Sequence, residues 1–342
     1  MRTIVVSPSG AFYGSEQTLF SFLSNTDTKY TVFVKKEPGL LLDKLSKTIH
    51  KVKSFSNVKL LYFRLLLNIF FLKIDRIYVN EGGHIKYCKL LGKIFPKLKI
   101  VIHLRLVEDT TKGRLHGLPK NLELISVSTF IKNLVLNEIG TETQVLSSPM
   151  RELEFCNSNF KDLEKKDIYK VGIVGRVTPS KGVKNIIEFI NYLELNKISA
   201  YELHFFGTVE DQYYEVTELI SLTDKLTYVK LYFHGFTSCK SRIFEESDLI
   251  IHFNEHEPLG VVYFESLSYG TPFFGFNSGG IGDISEVIEL NNVIENDSDW
   301  PNNMLETIKS IGTTTFSDAR ERMKLHYGID QYVNRLENII GS

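Results

Sequence analysis

The feature that most constrains the fold is an alternation that runs through the chain twice. A short apolar run rich in β-branched and aromatic residues is followed by a loop and then by an apolar pattern of helical period. In the first series the strand-like runs are Thr3 to Ser7, Tyr30 to Val34, Arg76 to Asn80, Lys99 to His103 and Leu124 to Ser128. Ser15 to Leu23 reads as the first helix, with Ser15 as its N-cap. The second series starts at Tyr169 to Val174 and continues through Glu202 to Phe206, Val229 to Phe233, Leu249 to Phe253, Pro272 to Phe276 and Asn292 to Ile294. Repeated β-α units imply parallel, doubly wound sheets, and 342 residues are too many for one ordinary core. The expectation is an α/β chain of two such domains facing across a cleft. They cover residues 1–160 and 167–314, and the polar segment Asn157 to Lys166 links them. A helical segment, 315–342, packs back toward the first domain.

A hydrophobic content of 43% and a charged content of 24% are those of a soluble globular protein. Met1 to Ser7 enters a strand directly, so no signal peptide is expected. Leu60 to Leu72 is the most apolar stretch, but Arg64 interrupts it and it falls short of the roughly 20 residues a spanning helix needs. Cys88, Cys156 and Cys239 have no paired spacing, as reduced thiols of a cytoplasmic protein would.

The net charge of −1 conceals a division. Residues 1–166 hold 26 Lys and Arg against 15 Asp and Glu, a balance of +11; residues 167–342 hold 14 against 26, a balance of −12. Such asymmetry points to a polyanionic partner for the basic half, or to attraction between the halves. Residues 51–73 and 86–99 interleave lysines with Phe63, Phe70, Leu90 and Ile94, the pattern of an amphipathic helix on an anionic bilayer or of helices covering a sheet. No helix-turn-helix, zinc or RNA-binding signature accompanies the charge, so no nucleic-acid partner is expected.

The chemistry concentrates at Asn254 to Leu267. An apolar strand ending at Phe253 leads into a loop carrying Glu257, and a helix from Gly260 onward carries Glu265. Ligands of open α/β sheets sit at that edge, and the helix start suits an anion. Glu265 shares its helix with Val261, Val262, Phe264 and Leu267, so if buried it needs a polar partner; a ribose diol supplies two donors. Loop 175–182 adds Arg176 and Lys181, which suit a diphosphate. Two solvated glutamates and two solvated cations are the plain alternative. The dinucleotide and P-loop glycine patterns are missing, which disfavours redox chemistry and P-loop hydrolysis.

Arg176 with Lys181-Gly182, then Glu257-Pro258-Leu259-Gly260 with Glu265, then Gly270-Thr271-Pro272 and Gly279-Gly280-Ile281-Gly282-Asp283, together resemble the signature of glycosyltransferase family 4. In the first half, Gly14-Ser15-Glu16 resembles its glycine-rich loop and Ile102-His103 its strand-end histidine. Tyr13-Gly14-Ser15 stands for a commoner Gly-Gly-Ala, Ser147-Ser148-Pro149 for an Asn-Gly, and Asp283 for a glutamate. The resemblance implies a GT-B fold of two Rossmann-like domains and a retaining enzyme that takes sugar from a nucleotide-diphosphate-sugar donor, a co-substrate, with no cofactor and no metal. It implies that Arg176 and Lys181 hold the diphosphate with the amides of Leu259, Gly260 and Val261, and that Gly14 lets its loop approach the phosphate. Glu265 then binds the ribose, Glu257 the sugar hydroxyls, and His103 lies near the reacting carbon.

The function expected is transfer to a hydroxyl of a glycan, lipid-linked as for many similar enzymes, in surface polysaccharide biosynthesis, by a cytoplasmic protein peripheral on the membrane. The competing readings are a non-catalytic nucleotide-sugar-binding or scaffold subunit and, ranked lower, a hydrolase using Glu257 and Glu265. Asp297-Ser298-Asp299, a metal-binding spacing in other sugar transferases, reads as surface loop, and His252 with His256 is not aligned for zinc.

Overall fold

The computed structural model describes residues 2–150, 159–163 and 166–341; Cys156 and, in the expected linker, Asn157, Ser158, Glu164 and Lys165 lie outside the described residues. The chain forms two compact units, one of residues 1–151 with 327–342 and the other of residues 152–326.

In chain order the first unit contains β1 (Thr3–Ser7), α1 (Gly14–Asn25), β2 (Thr31–Lys35), α2 (Leu40–Leu45), β3 (Lys51–Phe55), α3 (Val58–Leu72) and β4 (Arg76–Val79). It continues with α4 (Ile85–Ile94), β5 (Lys99–Leu104), α5 (Lys112–Leu115), β6 (Leu122–Ser126), α6 (Thr129–Ile139) and β7 (Gln144–Val145). Its seven strands are ordered β3-β2-β1-β4-β5-β6-β7, every pairing parallel. The chain reverses its direction across the sheet between β1 and β4, where Ile4 pairs with Thr31 on one side and Ile77 on the other.

The second unit contains β8 (Tyr169–Val174), α7 (Val183–Leu195), β9 (Tyr201–Phe206), α8 (Tyr214–Leu222), β10 (Lys230–Gly235), α9 (Lys240–Glu246) and β11 (Leu249–His252). It ends with α10 (Val261–Ser268), β12 (Phe273–Phe276), α11 (Gly279–Val287), β13 (Val293–Ile294), α12 (Trp300–Ser310) and α13 (Thr313–Tyr327). The order β10-β9-β8-β11-β12-β13 is again all parallel, with the reversal between β8 and β11. Two doubly wound α/β units are therefore present.

Two strands differ from expectation. β3 occupies the start of a stretch that reads as one basic amphipathic segment, and its Lys-Val-Lys-Ser-Phe alternates with the period of two that makes a strand. β7 is two residues long and carries no period at all.

The last helix, α14 (Ile329–Gly341), belongs to the first unit. Tyr332, Val333, Leu336 and Ile340 recur at helical spacing and join the core around Val5, Phe22, Val32 and Tyr78. Each such side chain contributes about 1.5–3 kcal/mol by leaving water. Polar contacts set the register: Arg76 donates to the Ile340 carbonyl at 2.8 Å, and Glu337 accepts from Thr26. In the second unit Trp300 anchors the core, its ring 5.8 Å from Phe189 and 5.1 Å from Phe276. Before α12, Asp297 accepts from the Asp299 amide at 2.9 Å, so the Asp-Ser-Asp spacing serves an exposed turn. Among the described residues no helix is long and apolar enough to cross a membrane.

Candidate functional site

In the second unit the loops that follow β8 and β11 flank the strand-order reversal, the place where open α/β sheets bind ligands. Three glycines, Gly182, Gly279 and Gly280, allow the close packing around these loops. Gly182 has φ +81°, and a Cβ there would lie 2.1 Å from the Phe253 carbonyl oxygen, so the Lys181 loop can seat on the end of β11 only with glycine. Beneath the β11 loop, Gly280 donates to the Glu257 carbonyl at 2.8 Å, and a Cβ on Gly279 would come within 2.6 Å of the same oxygen. The Gly-Gly-Ile-Gly motif is thus a platform for the glutamate loop.

That packing brings Lys181, His252, Asn254 and Glu257 together. Lys181 Nζ donates to Glu257 Oε2 at 2.7 Å, Asn254 Nδ2 donates to it at 3.0 Å, and His252 Nε2 stands 3.4 Å from it. Burial works to raise the Glu257 pKa, but His252 and the Lys181 charge outweigh it and hold the carboxyl far below the usual range. Glu257 is therefore a permanent anion at neutral pH and accepts hydrogen bonds only. The first amides of α10, with Gly260 as its N-cap and Val261 as its first residue, open at the same sheet edge beside the buried Leu259.

The other expected residues lie close in the chain but engage other partners. Arg176 is 61% exposed in its side chain and pairs with Glu210 Oε1 at 2.6 Å, from the loop after β9. Glu265, 7% exposed, forms an ion pair with Lys240 at the start of α9. Both carboxylates and cations are thus already matched, and a ligand here exchanges one set of charges for another. Sequence reasoning missed Glu210 and Lys240. Their only signal is position: each sits in the polar stretch after a strand of the same sheet, at its carboxyl edge.

In the first unit His103 is 0% exposed. Its Nε2 lies 3.0 Å from the Leu146 carbonyl, which fixes that nitrogen as the donor; Nδ1 accepts from the Tyr78 hydroxyl and from Arg105, each at 3.1 Å. Burial and the Arg105 charge hold its pKa well below the ordinary histidine value. A neutral ring with both nitrogens engaged presents no atom to a sugar, so the place of His103 in this structure is to position Arg105. The guanidinium also donates to the Asn80 carbonyl at 2.9 Å, to Ser148 at 3.0 Å and to the Tyr332 hydroxyl at 3.2 Å.

Gly14 is the first residue of α1, next to the reversal between β1 and β4, and a Cβ there would meet nothing within 4 Å. The space over it is open. Ser15, expected as the N-cap, lies inside the helix instead and donates its hydroxyl to Glu81, while Glu16 reaches back to the Tyr13 amide at 2.9 Å. A glutamate three positions into a helix can satisfy that amide, which moves the N-cap two residues earlier, to Tyr13. Burial and the neighbouring Glu16 push the Glu81 pKa up to about 7, against the hydrogen bond from Ser15.

Among the described residues no group of three or more His, Cys, Asp or Glu is placed to hold a metal ion. Comparison with curated protein sequences gives no match. Solved structures do match over the full chain. HepE from Anabaena, in complex with UDP and glucose, has TM-score 0.76 at 17% identity, with 100% of both chains covered. The apo form of the lipopolysaccharide outer core galactosyltransferase WaaB has TM-score 0.73 at 11% identity, covering 100% of this chain and 99% of that one. S. aureus TarM, in a complex containing UDP, has TM-score 0.66 at 12% identity, with 100% of both covered. At such identities the likeness is one of fold, and the fold is GT-B: two Rossmann-like, doubly wound parallel-sheet domains. Residues 156–311, the stretch that carries Lys181, Glu257, Glu265 and the glycine platform, match the family model described as glycosyl transferases group 1.

Proposed function

We propose that the protein is a retaining glycosyltransferase of family 4 type. It moves a sugar from a nucleoside-diphosphate donor to a hydroxyl of a lipid-linked glycan acceptor, in the cytoplasm and without a metal. The observation that carries this reading is the Lys181 contact with Glu257 at the strand-order reversal, beside the start of α10. A diphosphate entering there meets Lys181, Arg176 and the first amides of the helix, a set that stabilises leaving-group charge. Glu257, a permanent anion, then accepts from donor-sugar hydroxyls. Glu265 accepts from the two hydroxyls of the ribose, in exchange with Lys240. The open space over Gly14 leaves room for a phosphate near α1. The UDP and UDP-glucose held by HepE favour a uridine donor.

The test is a thermal-shift screen of nucleotide sugars followed by transfer assays with and without chelator. A donor bound only by the folded state raises the melting temperature, and turnover survives the chelator. No shift with any nucleotide sugar overturns the donor site; a shift with neither transfer nor slow donor hydrolysis makes the protein a binding subunit. Loss of turnover on chelation, restored by manganese, overturns metal independence.

A further inference from the structure

The helix α3 is apolar on two opposite faces. Leu61, Tyr62, Leu65 and Ile69 point inward and are buried. Leu60, Phe63, Leu67, Phe70 and Phe71, spaced three, four and seven apart, form the opposite stripe and are exposed, Phe63 by 58% and Phe70 and Phe71 by 72% each. A helix on the surface of a folded unit normally carries polar residues there. α4 lies beside it, since the Tyr62 ring stacks 4.9 Å from Tyr87 and its hydroxyl is 3.3 Å from Cys88 Sγ. The connections β3 to β4 and β4 to β5 run the same way across the sheet, so right-handed crossovers put both helices on one face. Leu90 and Ile94 of α4, 58% and 48% exposed, therefore extend the apolar surface outward on the same side.

The charge on these two helices is of one sign. Neither helix contains an Asp or a Glu, and Lys59, Arg64, Lys86, Lys93 and Lys97 are exposed on them or at their ends. At the far end of α3, Asn68 and Leu72 border a groove of about 360 Å³ that Arg2, Lys29, Lys51 and Lys53 also line. A second copy of the chain, packed symmetrically on this face, would set lysines against lysines. A sheet of anionic headgroups over acyl chains complements both the cations and the aromatics.

We propose that the outer face of α3 and α4 docks on an anionic phospholipid bilayer, with Phe63, Phe70 and Phe71 entering the headgroup boundary and the surrounding lysines and groove holding lipid phosphates. The donor-site residues named above are all carried by other elements, and the proposal does not depend on them.

The test is co-sedimentation of the full chain with vesicles of phosphatidylcholine alone and with vesicles of equal parts phosphatidylcholine and phosphatidylglycerol. The chain is expected to pellet with the mixed vesicles at low salt and to release as salt rises. The triple variant Lys86→Gln, Lys93→Gln, Lys97→Gln should bind about a hundredfold more weakly, roughly fivefold for each cation removed. The triple variant Phe63→Ser, Phe70→Ser, Phe71→Ser should also lose binding, while the melting temperature of both and their response to a nucleotide sugar stay those of the parent. The proposal is overturned if the parent chain remains in the supernatant with mixed vesicles at low salt, or if both variants bind like the parent. It is equally overturned if light scattering finds a dimer that the phenylalanine variant dissolves while vesicles remain unbound.

Discussion

The carboxyl edges of the two sheets share one topology and differ in how they treat charge. In the second unit, cations meet carboxylates directly: Lys181 with Glu257, Lys240 with Glu265, Arg176 with Glu210. In the first unit, the buried Arg105 is held by the neutral groups of Asn80, His103, Ser148 and Tyr332, and the half-buried Glu81 has its pKa raised toward neutrality. When an anionic ligand enters matched ion pairs, each cation keeps an opposite charge and its former carboxylate partner is released to accept from the ligand's hydroxyls. A cation fully engaged by neutral acceptors has no such exchange open to it. The first arrangement suits recognition of an anionic donor; the second fixes a loop and a helix in place.

Substitutions that separate these roles put the comparison at risk. The largest effect is expected at Lys181: Lys181→Ala should cut transfer by about 10²–10³-fold, the usual consequence of removing one stabiliser of developing charge, and should abolish the donor-induced thermal shift. Unchanged turnover would mean that the pair with Glu257 is structural after all. Next is Arg105→Ala, which strands the acceptors on Asn80, Ser148 and Tyr332 and should cost about 3 kcal/mol in urea unfolding. If it instead spares stability and abolishes transfer, the first unit is not a passive network and Arg105 belongs to the chemistry.

The smallest effect concerns pH. Glu81 has an ordinary value of 4.5 and a folded value of about 7, so the folded state holds the extra proton between them. Its contribution is fully present below about 4.5 and is lost as pH rises through about 7. Glu81→Gln should therefore flatten the pH dependence of stability across that window. Glu257 runs the other way: its pKa is depressed, so its contribution is present above the ordinary carboxylate value and fades only in strong acid. Identical urea midpoints for Glu81→Gln and the parent from acid to neutral pH would remove the contrast between the two carboxyls.

Much of the fold is legible in the chain because hydrophobic period is a local signal. Eleven of the strands lie where apolar runs predict them, whereas β3 is hidden by its lysines and β7 by its brevity. The candidate site is legible in part. Lys181 and Glu257 carry recognisable spacing, and so does Glu265, but their partners do not: Lys240 is 25 residues from Glu265, and Glu210 is 34 from Arg176. Neither pairing leaves a mark on composition or period, since it arises only when neighbouring strands bring their end loops to one edge. His103 shows the opposite error. A histidine at a strand end looks available in the sequence, and only the positions of Tyr78, Arg105 and Leu146 reveal that it is enclosed.

The sequence by itself determined that two parallel sheets form, that the charge divides between the halves, and that glycines bracket a lysine loop and a glutamate loop in the second. Those properties depend on residues near one another in the chain. Only the tertiary structure decided which carboxylate faces which cation, which histidine is closed off, and which side of α3 is left in water. The physical reason is that pairing, desolvation and exposure are set by groups arriving from other elements, and the same apolar residue is core or docking surface according to what packs over it.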